Sequence, residues 1–140
     1  MTGWILEKCE DAWTNYLSGS ITSSIVNVYR GNAEVEKDGP AIICFGGEAE
    51  EVEIGSGIYR VNMVLHMAVP YTGTGSLDTR NQIAHEFNAK VYNNDNIMND
   101  LTGSTNNLNI FALYFQAHNN GFEGDSWVSN NLIDMVVVHS

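Results

Sequence analysis

Residues 58–69 read IYRVNMVLHMAV, and this stretch decides the fold. Tyr59, Val61, Met63, Leu65, Met67 and Val69 alternate with Arg60, Asn62, Val64, His66 and Ala68. A two-residue period belongs to a β-strand, because successive side chains point to opposite faces of a sheet. One face of this strand is apolar and buried; the other is mixed and more polar, the pattern of an antiparallel sheet covered on one side. At the usual rise the segment spans about 40 Å. A polar face on so long a strand is covered by water or by a partner subunit. Because Arg60, Asn62 and His66 are exposed beside few charges that oppose edge pairing, the strand is expected to be an association surface.

Downstream, Pro70 and the Thr72, Gly73, Thr74, Gly75 loop end the strand, and Ser76 is placed to cap a second helix with Ile83, Ala84, Phe87 and Val91 as its buried stripe. Asn93 to Asn96 break that helix, and Asp95 is placed to cap a short turn containing Ile97, Met98 and Leu101. After a polar run over 102–107, residues 108–117 and 132–138 read as two last strands, separated by a loop with Gly121, Phe122, Gly124 and Trp127.

Upstream, Ile5, Leu6, Cys9, Ala12, Trp13, Tyr16 and Leu17 form one stripe of a helix over residues 3–18, stopped by Ser18, Gly19 and Ser20. The opposite face carries Glu7, Lys8, Glu10, Asp11 and Asn15, and the early acids suit the positive end of the helix dipole. A short strand over 25–29 is followed by the Lys37, Asp38, Gly39, Pro40 punctuator and an apolar strand over 41–45. Gly46-Gly47 reads as a bend or bulge, residues 48–54 as strand continuation or exposed loop, and 55–57 as a turning link. Links between neighbouring strands look too short for a parallel crossover. The expected fold is therefore one α+β domain over 1–140: a mostly antiparallel sheet with an N-terminal helix and a second helix packed on one face.

Composition agrees with a single domain, since 140 residues at 44% apolar can build one core. Charged residues make up 16%, below the usual quarter, and 17 acids against 6 Lys and Arg give a net charge of −11. Such a charge opposes a phosphate backbone, which excludes nucleic-acid wrapping. No run of 18 apolar residues occurs, and Glu7, Glu10 and Asp11 near the start are foreign to a signal peptide, so a soluble protein made in the cytosol with no membrane partner is expected. Cys9 and Cys44 sit in apolar patterns without a metal-ligand spacing and read as buried free thiols.

Little in the chain carries chemistry. His85-Glu86 begins an H-E-x-x-H zinc pattern, but position 89 is Ala, so the second ligand is missing. Gly73-Thr74-Gly75 opens a helix after a strand, yet lacks the third glycine and the lysine of a phosphate loop. The histidines 66, 85, 118 and 139 lie on separate elements, and no serine occupies a nucleophile elbow. No catalytic residue, metal or cofactor is expected. The competing expectation is a small metal- or ligand-binding enzyme that uses His66, or His85 with Glu86, in a cleft. Glu48, Glu50, Glu51 and Glu53 concentrate negative charge without the ligand order of a calcium loop. They read as a solvated loop, or as an acidic lining that repels a passing polyanion. The Asn-rich stretches 93–107 and 119–131 suit wet subunit contacts.

The element order, together with Tyr59-Arg60-Val61-Asn62-Met63-Val64, the Arg80 to Val91 helix and the Phe122, Glu123, Gly124, Trp127 loop, resembles the tail terminator or tail completion proteins of tailed bacteriophages. The likeness spans residues 3–138 and extends to other neck and minor capsid proteins of these phages. It implies a virion protein without catalysis that forms a hexameric ring, caps the tail tube and joins it to the head. The implied partners are further copies of the chain, the tail tube protein, a neck or connector protein, and genomic DNA that passes the lumen without specific binding. Glu48 to Glu53 would suit a lumen, and Arg60, Asn62 and His66 an interface.

Overall fold

The computed structural model describes residues 2–21, 27–30, 40–71, 74–103 and 108–139. At its centre lies the alternating stretch 58–69. Strands β1 (Asn27–Arg30), β2 (Ala41–Glu51), β3 (Ile58–Pro70), β4 (Leu108–Glu123) and β5 (Ser126–His139) form one sheet in the order β1-β2-β3-β5-β4. Val61, Met63, Leu65, Met67 and Val69 of β3 are buried on one face. The α+β class and the mostly antiparallel sheet are as the sequence indicates.

Three features of the sheet differ from the sequence reading. Strand β1 pairs with β2 in parallel, Asn27 opposite Ala41 and Arg30 opposite Cys44, so the ten-residue link between them does not force an antiparallel turn. Strand β3 is paired on both sides, with β2 and β5, and cannot offer an edge; the sheet's edges are β1 and β4. The supposed loop between the last strands is itself ladder: β4 and β5 pair from Leu108–His139 to Glu123–Ser126 around a two-residue turn at Gly124-Asp125. Asn and Gly depress strand propensity locally, and the cross-strand pairing of the long hairpin outweighs them.

Helix α1 (Thr2–Ser20) lays Ile5, Cys9, Ala12, Trp13, Tyr16 and Leu17 on the sheet, the stripe that its 3.6-residue period marks. Trp13 is fully buried and its indole Nε1 donates to Met135 Sδ at 3.1 Å. The helix begins at Thr2, so no acid lies in its first turn. The acids serve tertiary contacts instead: Glu7 and Asp11 pair with Arg30 of β1 at 3.3 and 2.7 Å. Glu10 Oε2 accepts the Gly46 N–H at 2.7 Å.

That last contact explains the Gly-Gly pair. The β2–β3 register slips between Gly46 and Glu48, which makes the pair a bulge, and strand β2 continues beyond it to Glu51. A Cβ on Gly46 would come within 2.5 Å of Leu6 Cδ2 and 3.1 Å of Leu6 Cβ, whereas one on Gly47 would meet nothing nearer than the Asn62 carbonyl at 3.7 Å. Gly46 is the close approach of sheet to helix.

Helix α2 (Thr74–Phe87) runs into a π-helical turn (Asn88–Tyr92), and α3 (Ile97–Gly103) follows. Ile83, Phe87 and Val91 are buried four residues apart, with Ala84 half-buried beside them. Helix α2 already begins at Thr74, so Ser76 lies inside its first turn rather than at the cap. The loop before α3 is organised by Asn94 where Asp95 is the sequence-read cap. Asn94 Oδ1 accepts the Asn96 N–H at 3.0 Å, and its Nδ2 donates to Asp100 Oδ2 at 2.8 Å, the Lys90 carbonyl at 3.1 Å and Tyr16 Oη at 3.0 Å. Tyr16 O–H in turn donates to the Lys90 carbonyl at 2.6 Å, which ties α1 to the end of the second helical run. The sequence-read strand residues Ile25 and Val26 and most of the 102–107 run lie outside the described residues.

Two consequences are measurable. Gly46→Ala should destabilise the chain by roughly 1–3 kcal/mol through overpacking against Leu6, while Gly47→Ala should lie within about 0.5 kcal/mol of the parent in chemical denaturation. The free thiols Cys9 and Cys44 are buried, and burial, with Glu10 adding to it, pushes each up from 9.0 to about 12. Burial likewise raises Tyr92 from 10.0 to about 12. A group whose folded pKa is raised contributes stability that is present below the unfolded pKa and lost as pH climbs toward the folded one. The denaturation midpoint attributable to these groups should hold up to pH 9 and fall between pH 9 and 12. Cys9→Ala/Cys44→Ala should shrink that fall; an unchanged fall would contradict the assignment.

Candidate interaction site

The described helices all contribute to the core on one side of the sheet; on the other side Ala41 and Ile43 of β2 are also buried, and the rest of the face is exposed or half-buried. The even-numbered residues of β3 point there: Arg60, Asn62, Val64, His66 and Ala68 stand in line, exposed or half-buried. Their neighbours in the register are Glu50, Glu48, Phe45, Ile43 and Ala41 of β2 and Val136, Asp134, Leu132, Asn130 and Val128 of β5. The result is an interleaved face in which apolar rows run beside polar ones. His66 Nδ1 donates to Asn130 Oδ1 at 2.6 Å, and Gln116 Nε2 donates to Asp134 Oδ2 across the β4–β5 pair. Strand β4 adds Phe111 and Tyr114 as exposed aromatics, at 63% and 61%, whereas Phe115 pairs with Ile133 and packs on Tyr92 on the helix-covered side. Among the described residues no strand pairs its outer edge, and from Phe111 to Phe122 it carries no acid, lysine or arginine.

The four glutamates do not act as one patch. Glu48 and Glu50 lie on the open face opposite Asn62 and Arg60. The Glu51 carboxylate accepts the Gly55 and Gly57 N–H groups, both at 3.2 Å, and so holds the β2–β3 turn. Glu53 sits on that turn, beside Ile54. Thus Arg60, Asn62 and His66 share one surface with two of the acids, and the other two belong to the hairpin tip.

The helix-covered side holds a cleft of about 380 Å³ between α2 and the far ends of β3, β5 and β4. Met67, Val69, Ala84, Phe87 and Trp127 give it apolar walls, and Arg80 closes one side with its guanidinium 4.4 Å above the Trp127 ring. Phe122 stacks edge-on against Trp127 at 4.9 Å, and Tyr71 against Phe122 at 6.1 Å.

A hydrogen-bond chain runs from the core to this cleft. Asn131 is fully buried, and its Nδ2 donates to the Leu65 carbonyl at 3.2 Å and Ser129 Oγ at 3.3 Å, which fixes Oδ1 as acceptor. Tyr92 O–H therefore donates to Asn131 Oδ1, and its oxygen is left to accept from His118 Nδ1 at 2.9 Å. His118 Nε2 then carries the lone pair that takes the Asn120 Nδ2–H at 3.0 Å. Every tautomer in the chain follows from the Asn131 amide.

The sequence-read pair His85-Glu86 is not in this cleft. His85 is exposed on α2, and His66 lies across the sheet, so the two do not converge; the histidine at the cleft is His118. The described residues bring no three His, Cys, Asp or Glu side chains together as a metal site, and no helix among them is long and apolar enough to cross a membrane. His118 escaped the sequence reading because its partner, Asn131, is revealed only by the hairpin register. No protein-family model matches the chain, and no curated protein matches it.

Asn131→Ala would take the acceptor from the Tyr92 hydroxyl and remove the amide's bonds to the Leu65 carbonyl and Ser129 Oγ. It should cost about 1–3 kcal/mol, and a double-mutant cycle with Tyr92→Phe should show coupling of at least about 0.5 kcal/mol. Additive losses in denaturation would contradict the chain of bonds.

Proposed function

We propose that this protein is a structural virion component, a tail terminator or neck protein that forms a ring, caps the tail tube and joins it to the head. The observation that carries the reading is the layering. The core lies on one side of the sheet, while the other side, continued by the open edge of β4, presents apolar rows flanked by Arg60, Asn62, His66, Glu48 and Glu50. A face of this kind, apolar at intervals and polar between, has the character of a wet subunit interface. The uncharged outer edge of β4 lacks the lysines and prolines that natural edges use against pairing. On this reading the partners are further copies of the chain, the tail tube protein and a neck protein. DNA crosses the lumen without specific contacts, consistent with the net charge of −11.

Light scattering of the purified chain, alone and with tail tubes, tests it. The expected result is a particle of about 90 kDa, near six times the 15.4 kDa protomer, or caps on tube ends in negative stain. A protein that stays at 15.4 kDa and leaves tube ends bare would overturn the reading.

A further inference from the structure

The β2–β3 turn presents an isoleucine to solvent on a rigid frame. Ile54 is 97% exposed and Val52 58%. Three backbone bonds frame them: Val52 N–H to the Ile58 carbonyl at 2.8 Å, Ser56 N–H to the Glu53 carbonyl at 2.9 Å, and His139 N–H to the Gly57 carbonyl at 3.0 Å. Gly55 and Gly57 take φ of 86° and 76°, which lets the turn close, and Glu51 clamps both their N–H groups. Among the described residues Ile54 takes no part in the packing of the core. A preorganised apolar tip loses little conformational freedom when it is buried against a partner.

The cleft beneath α2 is its complement in shape and charge. The tip, residues 51–57, carries Glu51 and Glu53 and no base. The described lining of the cleft carries Arg80 and no carboxylate, in a chain with 17 acids. At about 380 Å³ the cleft lies in the range that holds small ligands, about 300–1,000 Å³, and accommodates a branched side chain with its neighbours. Exposed Tyr71 and Phe122 at its rim supply the aromatic border common at interfaces.

The two features sit at opposite ends of β3. The turn joins the strand at Ile58, and the cleft is lined by Met67 and Val69, roughly 35 Å away at the usual rise. A tip cannot reach the cleft of its own protomer. We infer that the Val52-Glu53-Ile54 tip of one copy seats in the Arg80, Phe87 and Trp127 cleft of the next, with Glu53 facing Arg80. The contact is head-to-tail, and a head-to-tail contact closes into a ring when its rotation permits and otherwise runs on as a filament. The inference rests on the ring-forming reading above and adds a second contact between neighbouring copies to that of the open face and the β4 edge.

Disulfide trapping of the full chain tests it, since the native thiols are buried. Ile54→Cys/Ala84→Cys, oxidised at a concentration where the parent chain associates, should give a ladder of linked copies on a non-reducing gel. Ile54→Cys mixed with Ala84→Cys should stop at dimers, and neither single variant should give a ladder. Ile54→Asp, on an exposed residue whose melting should match the parent's, should raise the concentration of half-assembly at least tenfold. A double variant that yields no more than the singles would overturn the inference. If the parent chain still forms rings, that failure leaves the ring reading intact; if the parent is monomeric with and without tail tubes, both fall. A ladder from a chain that never caps tubes would keep the tip and cleft and remove the terminator role.

Discussion

Helix α1 reaches the sheet because Gly46 has no side chain. Any Cβ there would collide with Leu6, and the Gly46 N–H is taken up by Glu10 of the same helix. With the helix seated, Trp13 reaches across β2 and β3 to Met135 of β5, and the apolar side of three strands closes under one layer. Tyr16 then carries the connection to Lys90 and Asn94, and so to the second helical run. Burial of the Trp13, Leu17, Ile83, Phe87 and Leu101 side chains, at about 1.5–3 kcal/mol for a fully buried large apolar group, stabilises the arrangement. The described helices share that side, and on the second face the even-numbered residues of β3 are exposed or half-buried.

Where periodicity is strong, the sequence was a sufficient guide. The period of two over 58–69 and the stripe from Ile5 to Leu17 are direct statements of which atoms avoid water, and both elements form where they are read. Gly46-Gly47 was legible as a bulge, although its reason, the approach of Leu6, lies 40 residues away in the chain. Long-range pairing was not legible. The Asn and Gly residues of 118–131 read as loop by local preference, and only the register that sets His118 opposite Asn131 makes them strand. Likewise the parallel β1–β2 pair and the central position of β3 are choices of topology, which no local pattern records.

The same limit explains the functional residues. Arg60, Asn62 and His66 fall on one face because a strand's alternation puts them there, and that much follows from spacing. The division of the four glutamates does not: Glu48 and Glu50 face out from the sheet while Glu51 is spent on the turn's N–H groups. The cleft, with Arg80 over Trp127 and His118 at the end of a buried amide chain, joins residues from α2 and three strands. An exposed sheet face, an edge without charge from Phe111 to Phe122, an apolar tip and a cleft whose described lining holds no carboxylate are the surfaces on which the proposed ring would be built.

The central claim is that the open face and the outer edge of β4 are covered by other copies. Hydrogen exchange of the chain, diluted to monomer and then at assembling concentration or on tail tubes, measures this directly. The account predicts that the outer amides of β4 beyond Ile110, whose own N–H is already held by Thr102 Oγ1, slow on assembly, while those of α1 do not change. Exchange along β4 that is equally fast in both states would contradict it.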